Sequence, residues 1–228
     1  MADTPIRRSP LHEMAARLDA ASEAPGRIRL AEAPFLTQVT FRAAPGSAAA
    51  EAAGRALGAP LPVTPNTVSA AGDTEALWMG PDEWLVVGPD AARAGLVAAL
   101  EDAAAGEHAT VVDVSAHRTV VEIAGAHATD VLRKGCSIDL DPVAFGPGRC
   151  AQTAVARAHV ILQARTAEPS YRVFARASFA EYVAAWLLDA AAEYRGAPPP
   201  PAAPGAGTRR SPGSRPTTAL SWAPGTTA

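Results

Sequence analysis

The side chains in this 228-residue sequence best suited to nucleophilic, acid–base or metal chemistry are five histidines, two cysteines and a few closely spaced carboxylates. His12, His108, His117, His127 and His159 are scattered, and no two stand at the i, i+4 spacing that sets two imidazoles on one metal. Cys136 and Cys150 lack the paired spacing of a zinc site and are read as reduced thiols. Asp113, His117 and Arg118 surround a predicted turn, where His117 could act as a general base; polar turn residues more commonly bind backbone groups, and that reading is adopted. Asp82 and Glu83 lie between Trp78 and Trp84, an arrangement that could wall a substrate slot. Pro81-Asp82 is equally ordinary turn chemistry, and tryptophans at strand ends anchor cores. Asp139 and Asp141 alternate outward across Leu140 and are read as solvated. Gly146-Pro147-Gly148 offers too few free amides to cradle a dinucleotide. No nucleophile, base and oxyanion donor converge, so no catalytic, cofactor-binding or metal-binding residue is assigned.

The elements that would position these residues alternate between strand and helix. The pattern predicts a helix carrying Leu11, Met14, Ala15 and Leu18 on one face, a strand over 37–42, and an Ala-rich helix over 47–57 stopped by Gly58. Runs at 76–79 and 84–88 flank Gly80-Pro81-Asp82-Glu83 and predict a hairpin. Asp90 is a candidate cap for a helix to Ala104, with Leu96, Val97 and Leu100 as its buried stripe. Strands are expected over 110–114 and 119–123, a short helix between Gly125 and Gly135, a loop over 138–150, and strands over 152–157, 160–165 and 171–176. Ser178 and Glu181 have capping-box spacing before a helix whose stripe would be Phe179, Tyr182, Val183, Trp186, Leu187, Ala190 and Tyr194. The fold class is therefore α/β (α+β), two similar mixed α/β halves sharing one core.

Composition sets the limits of function. Residues 197–228 are rich in Pro, Gly, Ala, Ser and Thr, and are expected to be a disordered tail. Of the 20 basic and 23 acidic groups, only Arg209, Arg210 and Arg215 fall in that tail, which leaves 17 basic against 23 acidic before it, a net of -6. An acidic body argues against nucleic acid as a partner. No window approaches the roughly 18 apolar residues of a membrane span, and no signal-peptide core is present, so a cytoplasmic location is expected. The expected organisation is an arm with a short helix over 1–33, one α/β domain over 34–196 and the tail over 197–228.

Seven segments, taken together, resemble the gamma subunit of heterotetrameric sarcosine oxidase. They are Ala33-Pro-Phe-Leu-Thr-Gln38, Pro65-Asn-Thr67, Leu77-Trp-Met-Gly-Pro-Asp-Glu-Trp-Leu85, Asp113-Val-Ser-Ala-His-Arg-Thr119, Lys134-Gly-Cys-Ser-Ile-Asp-Leu140, Phe145-Gly-Pro-Gly-Arg-Cys-Ala-Gln-Thr153, and Ser178-Phe-Ala with Trp186-Leu-Leu-Asp-Ala190. The resemblance runs in one order from about residue 8 to 195; His117 stands where the family leads us to expect Asn, and the tail has no counterpart. It implies a structural, non-catalytic subunit of an oxidoreductase complex that oxidatively demethylates sarcosine to glycine. It implies alpha, beta and delta subunits as partners, and FAD, FMN, NAD and tetrahydrofolate as cofactors held by the larger subunits and not by this chain. The implied fold is similar to the folate-binding domains of aminomethyltransferases.

Two other readings stand beside it. A free-standing folate-binding protein of the aminomethyltransferase superfamily is suggested by Asp113-Val-Ser115, Gly125, Ala128, Leu132, Gly148 and Thr153, similar in order to that superfamily's folate region. It lacks the decisive acid, because Ala158, His159 and Val160 stand where those enzymes turn through Gly-rich sequence into an aspartate. A scaffold protein unrelated to sarcosine is the third.

Overall fold

Strands over Arg29–Ala33 (β1), Thr37–Ala43 (β2), Val68–Ala71 (β3), Thr74–Gly80 (β4), Glu83–Gly88 (β5), Ala109–Asp113 (β6), Arg118–Ala124 (β7), Cys150–Val155 (β8), Ala158–Ala164 (β9) and Ser170–Arg176 (β10) build two five-stranded antiparallel sheets in a computed structural model. The structure describes residues 7–22, 27–166 and 168–195, so the tail expected after residue 196 lies outside the described residues. Among the described residues five α-helices flank the sheets: Ala15–Ala21 (α1), Ala48–Leu57 (α2), Arg93–Ala104 (α3), Ala128–Arg133 (α4) and Ala180–Ala190 (α5).

The strand orders β6-β2-β5-β4-β3 and β1-β7-β10-β9-β8 match position by position. Each half is a strand, a helix, a three-stranded meander and a helix: β2-α2-β3-β4-β5-α3 and β7-α4-β8-β9-β10-α5. In the first sheet β6 follows α3 and pairs with β2. The equivalent place beside β7 is filled by β1, from the opposite end of the chain. Two links, 34–36 and 114–117, therefore carry the chain from one sheet to the other, and the halves are interlocked through their edge strands.

Alternation along the strands gives each sheet one face for helices and one for the other sheet. Val39, Phe41, Trp84 and Val86 face α2 and α3. Val121, Ile123, Leu162 and Val173 face α1, α4 and α5. Between the sheets, Leu77, Leu85 and Val87 meet Val120, Cys150, Ile161 and Phe174, and this layer is the core the halves share. The sheets also touch at their far edges, where Val68 N–H donates to the Gly148 carbonyl at 2.9 Å and Cys150 N–H to that of Asn66 at 3.0 Å.

Local sequence explains many element ends. Ser47 Oγ accepts from Ala50 N–H at 3.2 Å and caps α2, and Gly58 closes it at φ 81, a left-handed conformation natural to glycine. Pro81 and Asp82 make the two-residue β4–β5 turn. Other expectations need correction. Strands β1 and β3 were not anticipated. Asp90 does not cap α3: it opens a 3-10 turn, and its carboxylate accepts from Arg7 Nη1 at 2.7 Å. The Ser178–Glu181 box does not form, because a 3-10 turn over Ala177–Phe179 leads into α5 with no side-chain cap. The buried face of α5 is Ala180, Val183, Ala184, Leu187, Leu188 and Ala190; Phe179 and Tyr182 lie 43% and 40% exposed. Of the first helix's stripe, Leu11, Met14 and Leu18 are buried and Ala15 is exposed.

Candidate functional site at one end of the sheet pair

Three connections meet at one end of the β1-containing sheet, the 114–117 link, the β10–α5 junction and the β8–β9 turn, and β4 of the other sheet approaches β8 there. The Ala177 amide donates to the His117 carbonyl at 3.0 Å, Arg157 N–H to Tyr182 Oη at 3.3 Å, and Gln152 Nε2 to the Met79 carbonyl at 2.8 Å. Asp113 organises the link. Its carboxylate accepts from the Ser115 hydroxyl at 2.6 Å, the Ser115 amide at 3.0 Å and Arg93 Nε at 2.7 Å. Burial alone would raise this carboxyl; the Ser115 bonds and the Arg93 guanidinium together hold it below the usual carboxylate range. Ser115 Oγ in turn accepts from Gln38 N–H at 3.0 Å, and buried Gln38 donates through Nε2 to the Arg118 carbonyl at 2.8 Å. Asp113 thus fixes the start of the link between the sheets, with its carboxylate committed to Ser115 and Arg93.

A cleft of 260 Å³ opens beside this link, lined by Arg118, Gln152, Thr153, His159, Val160, Ile161 and Arg176. Partial burial, followed by the charges of Arg118 and Arg176, lowers the His117 pKa. His117 holds the turn through its backbone, donating from N–H to the Val114 carbonyl at 2.9 Å. His159 is exposed at the cleft's rim, on the β8–β9 hairpin where the alternative folate reading needs an acid. A reduced pterin presents N–H donors that require an acceptor carboxylate. None lines this cleft; Glu83 acts on Arg118 by its charge without belonging to the lining. The residues do not fit that group. Nor do they fit a dinucleotide of the Rossmann type, since both sheets are antiparallel and, among the described residues, no Gly-rich turn joins a parallel strand to a helix.

The remaining candidates are dispersed. Asp82 pairs with Arg42 Nη2 at 2.9 Å at the surface. Trp84 is buried with its Nε1 donating to the Pro62 carbonyl at 2.8 Å, while Trp78 is half-buried. Asp139 and Asp141 are exposed and accept from the amides of Asp141 and Val143, each at 2.9 Å. The His127 ring stacks on Tyr194 at 4.4 Å, with Nδ1 3.2 Å from Asp130; His12 and His108 are exposed. Among the described residues, no group of three or more His, Cys, Asp or Glu could hold a metal ion. Both cysteines are free, and burial pushes the Cys150 thiol up to about 12, too high for a nucleophile.

The feature that sequence reading missed is the pairing of Arg118 with Arg176, directly opposite each other on β7 and β10. Fifty-odd residues separate them in the chain, and only the strand register brings them together. The arginines bounding the β-rich runs 119–123 and 171–175 were the available signal.

A two-sheet α/β fold of this kind is similar to that of an aminomethyltransferase. The glycine cleavage system aminomethyltransferase T of Bartonella henselae superposes with a TM-score of 0.62 over 81% of this chain and 57% of that one, at 14% identity, a likeness of fold alone. The chain belongs to the sarcosine oxidase, gamma subunit family, whose model matches residues 42–193. It is 43% identical to sarcosine oxidase subunit gamma of an Arthrobacter species over 84% of this chain and 93% of that one. It is 42% identical to the subunit of that name from Corynebacterium sp. strain P-1, over 86% and 95%. A chain of the heterotetrameric sarcosine oxidase of Corynebacterium sp. U-96, solved with pyrrole 2-carboxylate, aligns with a TM-score of 0.78 at 40% identity, covering 84% of this chain and 98% of that one.

Proposed function

We propose that this chain is the structural gamma subunit of a heterotetrameric sarcosine oxidase, working beside alpha, beta and delta subunits in the oxidative demethylation of sarcosine to glycine. It supplies no reacting group. FAD, FMN, NAD and tetrahydrofolate are held by the larger subunits, and the complex is cytoplasmic. None of the described helices is long and apolar enough to cross a membrane, in keeping with that location. Residues 34–196 make up most of the assembly body, which the helix and edge strand of residues 1–33 complete, and the tail from 197 is a dispensable extension.

The observation that carries this reading is the likeness to a chain of the solved heterotetramer, 98% of which is covered. The proposal that the chain supplies no reacting group is supported by the cationic lining of the Arg118–Arg176 cleft, which holds no carboxylate, and by the structural commitments of Asp113, Asp82, Asp139 and Asp141. The same lining weighs against a free-standing folate protein. Affinity capture of the tagged full-length chain from its native cells tests the reading. Three further subunits, flavin absorbance and sarcosine-dependent oxygen consumption should co-purify with it. Recovery of the chain alone, from cells that retain sarcosine oxidase activity in another fraction, would overturn it.

A further inference from the structure

On the face of the β1-containing sheet that looks toward the other sheet, cations are treated in two ways. In the interior they are matched. Arg172 donates to Glu75 at 2.8 Å and to Glu122 at 3.0 Å, and Arg165 donates to Glu75 at 2.6 Å. At the open end of the same face Arg118 and Arg176 are cross-strand neighbours, and neither guanidinium has a carboxylate within ion-pair distance among the described residues. Like charges placed directly opposite in a sheet repel. Burial, and then the Arg176 charge, depress the Arg118 pKa, and the Glu83 charge, the smallest of the three effects, opposes them. This pair persists in a body with an excess of acidic groups, where carboxylates to neutralise it are plentiful in composition but placed elsewhere.

The surroundings have the composition of a protein interface. Tyr182 Oη accepts from the β8–β9 turn at Arg157, and Ala177 N–H donates to the His117 carbonyl, so the start of α5 is bonded to the two connections that lead into His159 and Arg118 of the cleft. That turn leaves Phe179 43% and Tyr182 40% exposed. Arginine and aromatic side chains dominate the energetics of protein contacts. The cleft's 260 Å³ falls below the roughly 300–1,000 Å³ of sites that enclose a small organic ligand.

We propose that this cleft receives an acidic side chain of a partner subunit, whose carboxylate sits between the Arg118 and Arg176 guanidiniums while neighbouring apolar groups of the partner pack on Phe179 and Tyr182. Planar guanidiniums suit such a carboxylate because each offers two parallel N–H donors. The inference rests on the reading of the chain as a subunit.

The test uses the full-length chain and the assembled complex, with the double substitution R118Q/R176Q. In the free chain the change removes a repulsion, so the melting temperature should stay level or rise by a degree or two. In the complex it removes the carboxylate's partners, so affinity for the remaining subunits should fall by tenfold or more. R118K/R176K keeps the charge without the planar fork and should lose less. Opposite signs in the two measurements are what a merely structural role would not produce. Unchanged affinity in the double variant overturns the proposal, as does a destabilised free chain with affinity lost only in proportion. Glutarate is the small-carboxylate probe: if 10 mM glutarate raises the melting temperature of the wild-type chain but not of R118Q/R176Q, and affinity is unchanged, the cleft is a ligand site and the proposal fails. Failure of the wild-type chain itself to join the complex would bring down the subunit reading and this inference with it.

Discussion

Replacing Glu75 by Gln removes one charge from the place where both sheets share it. The Glu75 side chain is 14% exposed on β4, and its carboxylate accepts from Arg165 and Arg172 of the other sheet and from Gln163 Nε2 at 3.0 Å. Breaking a buried pair by removing one partner costs about 3–5 kcal/mol, because the other charge stays buried without compensation. Two features reduce that here: Arg165 is 30% exposed, and Arg172 retains Glu122 at 3.0 Å. About 2–3 kcal/mol is the resulting expectation, which at ~2–4 °C per kcal/mol for a chain of this size lowers the melting temperature by about 5–10 °C. Asp82→Asn is the control. It breaks the Arg42–Asp82 pair, whose side chains are 51% and 50% exposed, and should cost under about 1 kcal/mol. Thermal melts of the full chain, paired with urea titrations showing an unchanged slope, measure both. If E75Q melts with D82N, the ionic network does not tie the sheets together and this reasoning is wrong.

Gly135→Ala should destabilise the chain by about 1–3 kcal/mol, since an added Cβ would stand 2.5 Å from Trp186 Cζ2 and 3.1 Å from the Ala156 nitrogen; a melt within a degree of wild type would show that the ring moves aside freely. Thiol labelling of the native chain should modify half-buried Cys136 and spare Cys150, and labelling of denatured, unreduced chain should modify both; protection of both until reductant is added would mean a disulfide. The Asp113 carboxyl is depressed below its unfolded value of 3.8, so between the two values the unfolded chain binds more protons and stability rises with pH. Its contribution is present above about pH 4 and is lost as pH falls through the native value. Asp113→Asn should therefore flatten the acid limb of the stability profile below pH 4, and an unaltered limb would show that the carboxylate's bonds are not what holds the link.

Local chemistry was legible where one segment decides the outcome. Ser47, Gly58 and Pro81-Asp82 determine a cap, a stop and a turn from neighbouring residues alone, and the structure has all three. The missed strand β1 is Arg-Leu-Ala-Glu-Ala, poor in the β-branched residues that mark a strand, and it is extended because β7 offers it an edge. Strand β3 is four residues long and contains two alanines and a serine, below any useful periodicity. The Ser178–Glu181 spacing was genuine, but the junction with β10 starts with a 3-10 turn whose Ala177 amide is already bonded to the His117 carbonyl. Phe179 and Tyr182 fit a helical stripe by spacing, yet the sheet is covered by the neighbouring face, and periodicity cannot tell a core face from a partner face. The arginine pair was hidden for a related reason: Arg118 and Arg176 meet only through strand register, a non-local property.

The claim that this chain supports assembly without taking part in the chemistry is tested most directly by turnover per bound flavin in the heterotetramer. Complexes should be assembled with wild-type chain and with chains carrying Asp113→Ala, Asp139→Ala or Asp141→Ala, and flavin content should be measured on each purified sample. Yield and thermal stability should fall with Asp113→Ala, while turnover per flavin should stay within about twofold in every case. A fully assembled, flavin-loaded complex whose per-flavin turnover collapses with one of these substitutions would place that carboxylate in the reaction and contradict the account.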